Sequence, residues 1–198
     1  MNTGEVHVWR VRLDAIETPM PPPTAGESAR AARFRTPELR EHYLRSHAAV
    51  RAILSRETDV RLDFAVAEAG KPYLPAAPRL KFNLSHSRER ALVAVALDVE
   101  VGVDVEYIRP MPDYVALAER FFPPSEAAEV ADESDFFRRW TRIEAVLKAR
   151  GVGIYAAGTE LAGEWTIEEI DVGPEYFGSV AVPQSGVQVL VHDFGDDR

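Results

Sequence analysis

The sequence has no cysteine. That excludes disulfides, thiolate nucleophiles and cysteine-ligated zinc, and it fits a reducing cytoplasm. There is no apolar run long enough to cross a bilayer, which takes about 20 residues, so no membrane span is expected. The opening "MNTGEVHVWRVRL" lacks the basic region and apolar core of a secretory signal. Positive charge is also scarce. Against 32 acids stand 23 lysines and arginines, a net charge of −9, which argues against general nucleic-acid binding.

What is present is a globular composition, 46% apolar and 28% charged in 198 residues, enough for one substantial core or two small lobes. The charge is uneven. Between Ser28 and Arg61 eight arginines face four acids, so that segment carries +4 and the remainder −13. A basic segment on an acidic chain is either a solvated helix face or a specific anion site.

Thr36, Pro37 and Glu38 read as a helix start, and Leu39, Tyr43, Val50 and Leu54 continue it at helical spacing to about Ser55. "TPMPPPTAGE" before it reads as a proline-rich loop. Strands are expected at residues 5–13 and in "LDFAVAE", "LKFNLS" and "ALVAVALD". After Pro112 the pattern turns helical, with a short helix in "PPSEAAEVA" and a long one in "DFFRRWTRIEAVLKARG". The buried stripe of the long helix is Phe136, Trp140, Ile143 and Leu147, and Gly151 lies past its end. Three more strands follow near "EWTIEEI", "GSVAV" and "VQVLVHDF". Each half thus offers one long helix and several strands. The expected fold class is α+β, two lobes dividing near residue 104.

The stretch "VGVDVEYIRP" alternates Val101, Val103 and Val105 with Gly102, Asp104 and Glu106. A strand here places both carboxylates on one face, where like charges repel and are costly once partly buried. On the long helix, Trp140, Glu144 and Lys148 share a ridge, and Glu144–Lys148 alone would be an ordinary surface ion pair. Together, Asp104, Glu106 and Glu144 form an oxygen-only donor set for a hard cation, and Mg²⁺ suits a site with few protein ligands and room for phosphate oxygens. In "LKFNLSHS", Phe82 and Leu84 face one way and Asn83 and Ser85 the other. By themselves Ser85-His86-Ser87 and Gly70-Lys71-Pro72 read equally as polar turns.

"GKPYL", "FNLSHS", "VGVDVEYIRP", "RFFPPSE" and "WTRIEAVLKARGVG", in that order and spacing, resemble the Sfp-type 4′-phosphopantetheinyl transferases over roughly residues 5–155. The resemblance implies a pseudodimer of two similar lobes, each a small antiparallel sheet on a long helix, with an N-terminal lobe at 1–103, a C-terminal lobe at 104–198, and a monomer. It implies transfer of the phosphopantetheine arm of coenzyme A to a serine of an apo acyl- or peptidyl-carrier protein, releasing adenosine 3′,5′-bisphosphate. It further implies that Asp104, Glu106 and Glu144 bind Mg²⁺, that Glu144 and Lys148 are catalytic, and that Arg30, Lys71, Ser85 and His86 grip coenzyme A. Two positions depart from the family pattern: Ile143 and His42 stand where it commonly has lysine and arginine. Ile143 is expected at a helix edge, where a lysine would be tolerated by snorkelling out. Arg109 and Arg120, in "YIRPMPDYVALAERFF", are expected on a carrier-docking rim. A non-catalytic binding module and a Mg²⁺-dependent pyrophosphatase are the competing readings.

Overall fold

The structure is a computed structural model describing residues 1–16, 18–153 and 163–195. Four strands make the first sheet. β4 (Leu80–Ser87) and β5 (Arg90–Leu97) form a hairpin, and β5 pairs antiparallel with β1 (Glu5–Arg12). β9 (Gln188–Asp193) returns from the end of the chain to pair in parallel with β1, giving the order β4-β5-β1-β9. The second sheet is antiparallel, β6 (Gly102–Tyr107), β8 (Tyr176–Val182) and β7 (Thr166–Ile170) in that order. The α+β class expected from the alternating periodicities is the one observed.

Period-two alternation decides where the core sits. Val6 and Val8 of β1 and Leu92, Ala94 and Ala96 of β5 meet Val101, Val103, Val105 and Val180 in one fully buried cluster between the sheets. The other face of the first sheet, with Trp9, Val11, Phe82, Val93 and Val95, packs on Ala49, Val50, Ile53 and Leu54 of α2 (Pro37–Glu57). Thr36 caps α2 by accepting from the Leu39 amide at 3.2 Å, as its sequence indicates. The second sheet is covered by α5 (Glu133–Arg150), which ends at Gly151 in the left-handed conformation. α3 (Tyr114–Phe121) and α4 (Pro124–Ala127) flank α5.

Three expectations change. The proline-rich stretch leads into a helix, α1 (Ala25–Ala31), because Thr24 and Glu27 form a reciprocal capping box whose local bonds outweigh the loop-like composition. "LDFAVAE" shrinks to the two-residue β2 (Ala65–Val66), paired with β3 (Pro72–Tyr73). Val66 is largely exposed there, so no buried face extends the strand. Ile143 is core rather than helix edge. It is 4% exposed, in a cluster with Phe122, Phe136 and Leu147, and a lysine there would have to bury its charge.

The close contact that sets the site is at Gly102. A Cβ on this residue would overlap the Ala145 carbonyl and the Ala149 amide of α5, so helix and strand backbones touch directly. Backbone cannot yield as a side-chain end can. Gly102→Ala should therefore destabilise the protein by about 3 kcal/mol or more, the range of severe overpacking. Urea denaturation checks this, and an unchanged midpoint would show that α5 does not need the glycine.

Candidate active site

With Val103 and Val105 turned into the core between the sheets, Gly102, Asp104 and Glu106 face α5. Helical spacing sets Glu144 and Lys148 one turn apart on α5. Asp104 is 4% exposed. Its Oδ1 accepts from Lys148 Nζ at 2.5 Å and from Ser85 Oγ at 2.8 Å. Its Oδ2 is buried with no hydrogen-bond partner among the described residues. An orphaned buried acceptor costs about 1–3 kcal/mol. Glu106 accepts at Oε2 from Arg109 at 3.1 Å and Ser87 Oγ at 3.2 Å.

The electrostatics are those of crowded like charges. Burial, then the Asp104 charge, pushes the Glu106 carboxyl above its ordinary range, against the pull of Arg109 and Ser87. Glu144 is also raised, by burial first. Lys148 opposes that shift, while Asp104 and Glu106 add to it. Among the described residues, Lys148 and Arg109 are the cations set against these three carboxyls. The donor set is all oxygen and one oxygen is orphaned, which suits a hard divalent cation. Among the described residues, no three His, Asp or Glu groups make a metal cage by themselves.

Strand β6 lies beside β4 without pairing to it. The junction is built from side chains instead. Asn83 Oδ1 accepts the Val103 amide at 2.9 Å, Ser85 Oγ the Val105 amide at 3.3 Å, and Ser87 Oγ the Tyr107 amide at 3.1 Å. Alternate residues of β4 therefore satisfy alternate backbone donors of β6 and join the two sheets at the site.

The 4′-phosphopantetheinyl transferase superfamily model matches residues 100–178, the span holding β6, α5 and β7 and the start of β8. The chain is 41% identical to the 4′-phosphopantetheinyl transferase HetI of Nostoc sp. over 168 residues, 77% of this chain and 71% of that protein. It is 34% identical to the 4′-phosphopantetheinyl transferase AcpT of Escherichia coli K12 over 193 residues, 92% of this chain and 88% of that one. The chain belongs to the 4′-phosphopantetheinyl transferase superfamily.

In this transferase the sequence-derived site residues fall into two groups. Asp104, Glu106, Glu144, Lys148 and Ser85 are gathered where β4, β6 and α5 meet. The others lie around that group. Lys71 Nζ donates to Glu100 at 2.7 Å and to the Val101 and Ala149 carbonyls at 3.1 and 3.0 Å, tying the β2–β3 hairpin to the end of α5. Lys71 also lines a cleft of about 240 Å³ with Asn83, Leu84, Lys148 and Gly151. A wider cleft of about 340 Å³ lies between Tyr73, Phe82, Lys81 and Glu100, and none of the three site carboxylates lines it. His86 reaches the surface at the end of β4, on the face of the first sheet that α2 covers. Desolvation, then His47, His42 and Lys148, lowers its pKa, so the ring is neutral at pH 7. Arg30 is exposed on α1, its guanidinium 6.0 Å from the Tyr43 ring centre.

Sequence reasoning missed Asn83 and Ser87 as strand-joining groups, although the polar alternation of "FNLSHS" carries the signal. Arg109 is exposed, as expected of a rim residue, but it also has partners the sequence did not show. Arg109 holds Glu106 and lies over the Phe137 ring at 4.9 Å. Arg109→Glu should therefore weaken metal-dependent coenzyme A binding by about tenfold or more, the usual scale for groups orienting ligands. Calorimetric titration of coenzyme A in the presence of Mg²⁺ checks this. Unchanged affinity, with only the carrier KM raised, would return Arg109 to the docking surface.

Proposed function

We propose that the transferase moves the 4′-phosphopantetheine arm of coenzyme A to a carrier-protein serine at the Asp104–Glu106–Glu144 cluster, with Mg²⁺ held there and adenosine 3′,5′-bisphosphate released. The observation that carries the assignment is the unpartnered, buried Oδ2 of Asp104 beside two carboxylates whose pKa values are raised. In this reading the Asp104, Glu106 and Glu144 oxygens are the protein's share of the ligand set, and substrate oxygens complete it. The cation, when bound, supplies Lewis-acid neutralisation of the pyrophosphate.

The rest of the chemistry belongs to the chain. The serine oxygen bonds to the β-phosphorus, and the bond from that phosphorus to the bridging oxygen breaks. Glu144, less acidic than an exposed glutamate, takes the serine proton. Lys148, already 2.5 Å from Asp104, neutralises the charge that develops on the departing bisphosphate. Ser85 fixes Asp104 and Lys148 in register, accepting from Lys148 Nζ at 3.0 Å. Lys71 marks the hairpin lip of the substrate cleft. Arg30 and His86 lie toward the α2 side, where the nucleotide phosphates would need donors. In this reading residues 1–103 form the nucleotide side and residues from 104 the metal side, although β9 returns to complete the first sheet. The reading takes the enzyme as a monomer in the cytoplasm with its coenzyme A. Arg120, exposed beside Phe121 on α3, remains the rim cation for carrier docking.

Incubation with Mg²⁺, coenzyme A and an apo-carrier, read by intact mass, tests this. The wild type should add phosphopantetheine to the carrier. Asp104→Asn, if its circular dichroism is unchanged, should lose at least about a hundredfold in rate. Cleavage of coenzyme A without carrier modification would favour a pyrophosphatase. Full transfer by the folded variant would remove Asp104 from the site.

A further inference from the structure

The two strand carboxylates are held in the same way. Asp104 has one oxygen, Oδ1, bound by a β4 serine and a cation, Ser85 at 2.8 Å and Lys148 at 2.5 Å, while Oδ2 is bare. Glu106 has one oxygen, Oε2, bound by the next outward serine of β4 and a cation, Ser87 at 3.2 Å and Arg109 at 3.1 Å. No described residue donates to its other oxygen. Each serine is itself fixed by a backbone donor of β6, Ser85 by Val105 and Ser87 by Tyr107. Each serine therefore accepts from a β6 amide and donates to a β6 carboxylate, twice over.

We propose that Ser87 is a positioning residue for the transfer, acting through Glu106: with Arg109 it forms a second serine–cation clamp that immobilises one carboxylate oxygen and presents the other to the metal. The proposal rests on the reading of Glu106 as a metal ligand. A hydroxyl anchored by a backbone amide has one lone pair committed and its proton free, so it points a donor in a fixed direction. A glutamate on a strand has three rotatable side-chain bonds. Holding Oε2 removes most of that freedom before the ligand arrives, which is how groups behind a metal ligand raise affinity. Arg109, on a partly exposed and flexible side chain, supplies charge, whereas Ser87 supplies direction. Ser87 touches neither coenzyme A nor the reacting atoms in this scheme, so its removal acts on metal binding first.

Threonine and valine at this position have the same shape and differ by the hydroxyl, so Ser87→Thr and Ser87→Val isolate it, with Ser87→Ala as a third variant. Mn²⁺ binding in the presence of coenzyme A, followed by electron paramagnetic resonance, gives a readout independent of turnover. Ser87→Val and Ser87→Ala should bind Mn²⁺ about tenfold more weakly or worse. Their Mg²⁺ KM should rise in parallel, while kcat at saturating Mg²⁺ stays within about twofold and Ser87→Thr stays near the wild type on every readout. Equal Mn²⁺ affinity in the threonine and valine variants would overturn the clamp, as would a loss of kcat that saturating Mg²⁺ does not recover. Glu106→Gln separates the two levels. If it weakens Mn²⁺ binding and Ser87→Val does not, only the clamp fails. If neither does, the metal reading of Glu106 fails with it.

Discussion

Three carboxylates, Asp104, Glu106 and Glu144, are brought together against their mutual repulsion, and the surrounding structure is organised around holding them there. Burial of charge without a full set of counter-charges is costly, and Lys148 and Arg109 offset only part of it. The rest is resisted by packing. Val101, Val103 and Val105 anchor the strand in the core between the sheets. Gly102 lets the helix backbone come down onto it. Ala145, Val146 and Leu147, all buried, fix the helix in the register that carries Glu144 and Lys148. The apolar residues of one strand and one helix thus hold in place the charged residues that alternate with them.

The junction between the sheets follows the same logic. A conventional backbone ladder between β4 and β6 would satisfy the strand edge but would leave no hydroxyls at the carboxylates. Asn83, Ser85 and Ser87 satisfy the edge with side chains, and the two serines then have protons left for Asp104 and Glu106. One set of groups closes the fold and orients the acids. Proteins commonly give up stability at sites that must bind charge, and the orphaned Asp104 oxygen is where that cost is visible here.

Much of this was legible in the sequence where a signal is local. The period of two in residues 101–106 gave the buried valines and the facing acids. The helical stripe of Phe136, Ile143 and Leu147 gave the helix that carries Glu144, and Thr36 gave the start of α2. What depends on distant neighbours was not legible. Strand signals in "VQVLVHDF" do not say that β9 pairs with β1 rather than with the strands that precede it. At Ile143 the apolar stripe and the family pattern disagreed, and the stripe was right: Phe122 and Phe136 close over it. Arg109 is the surface cation expected, but its sequence neighbours say nothing about its pairing with Glu106. The missed α1 is a different failure, since its capping box is local and was outvoted by prolines.

The most direct test of the central claim is the stability of Glu144→Gln without metal. The substitution keeps the shape and removes one of the crowded charges. In chelator at neutral pH, urea denaturation should show Glu144→Gln to be more stable than the wild type, and addition of Mg²⁺ and coenzyme A should stabilise the wild type more than the variant. A Glu144→Gln protein that is less stable than the wild type in chelator would contradict the account, because the three carboxylates would then be mutually supported without a cation.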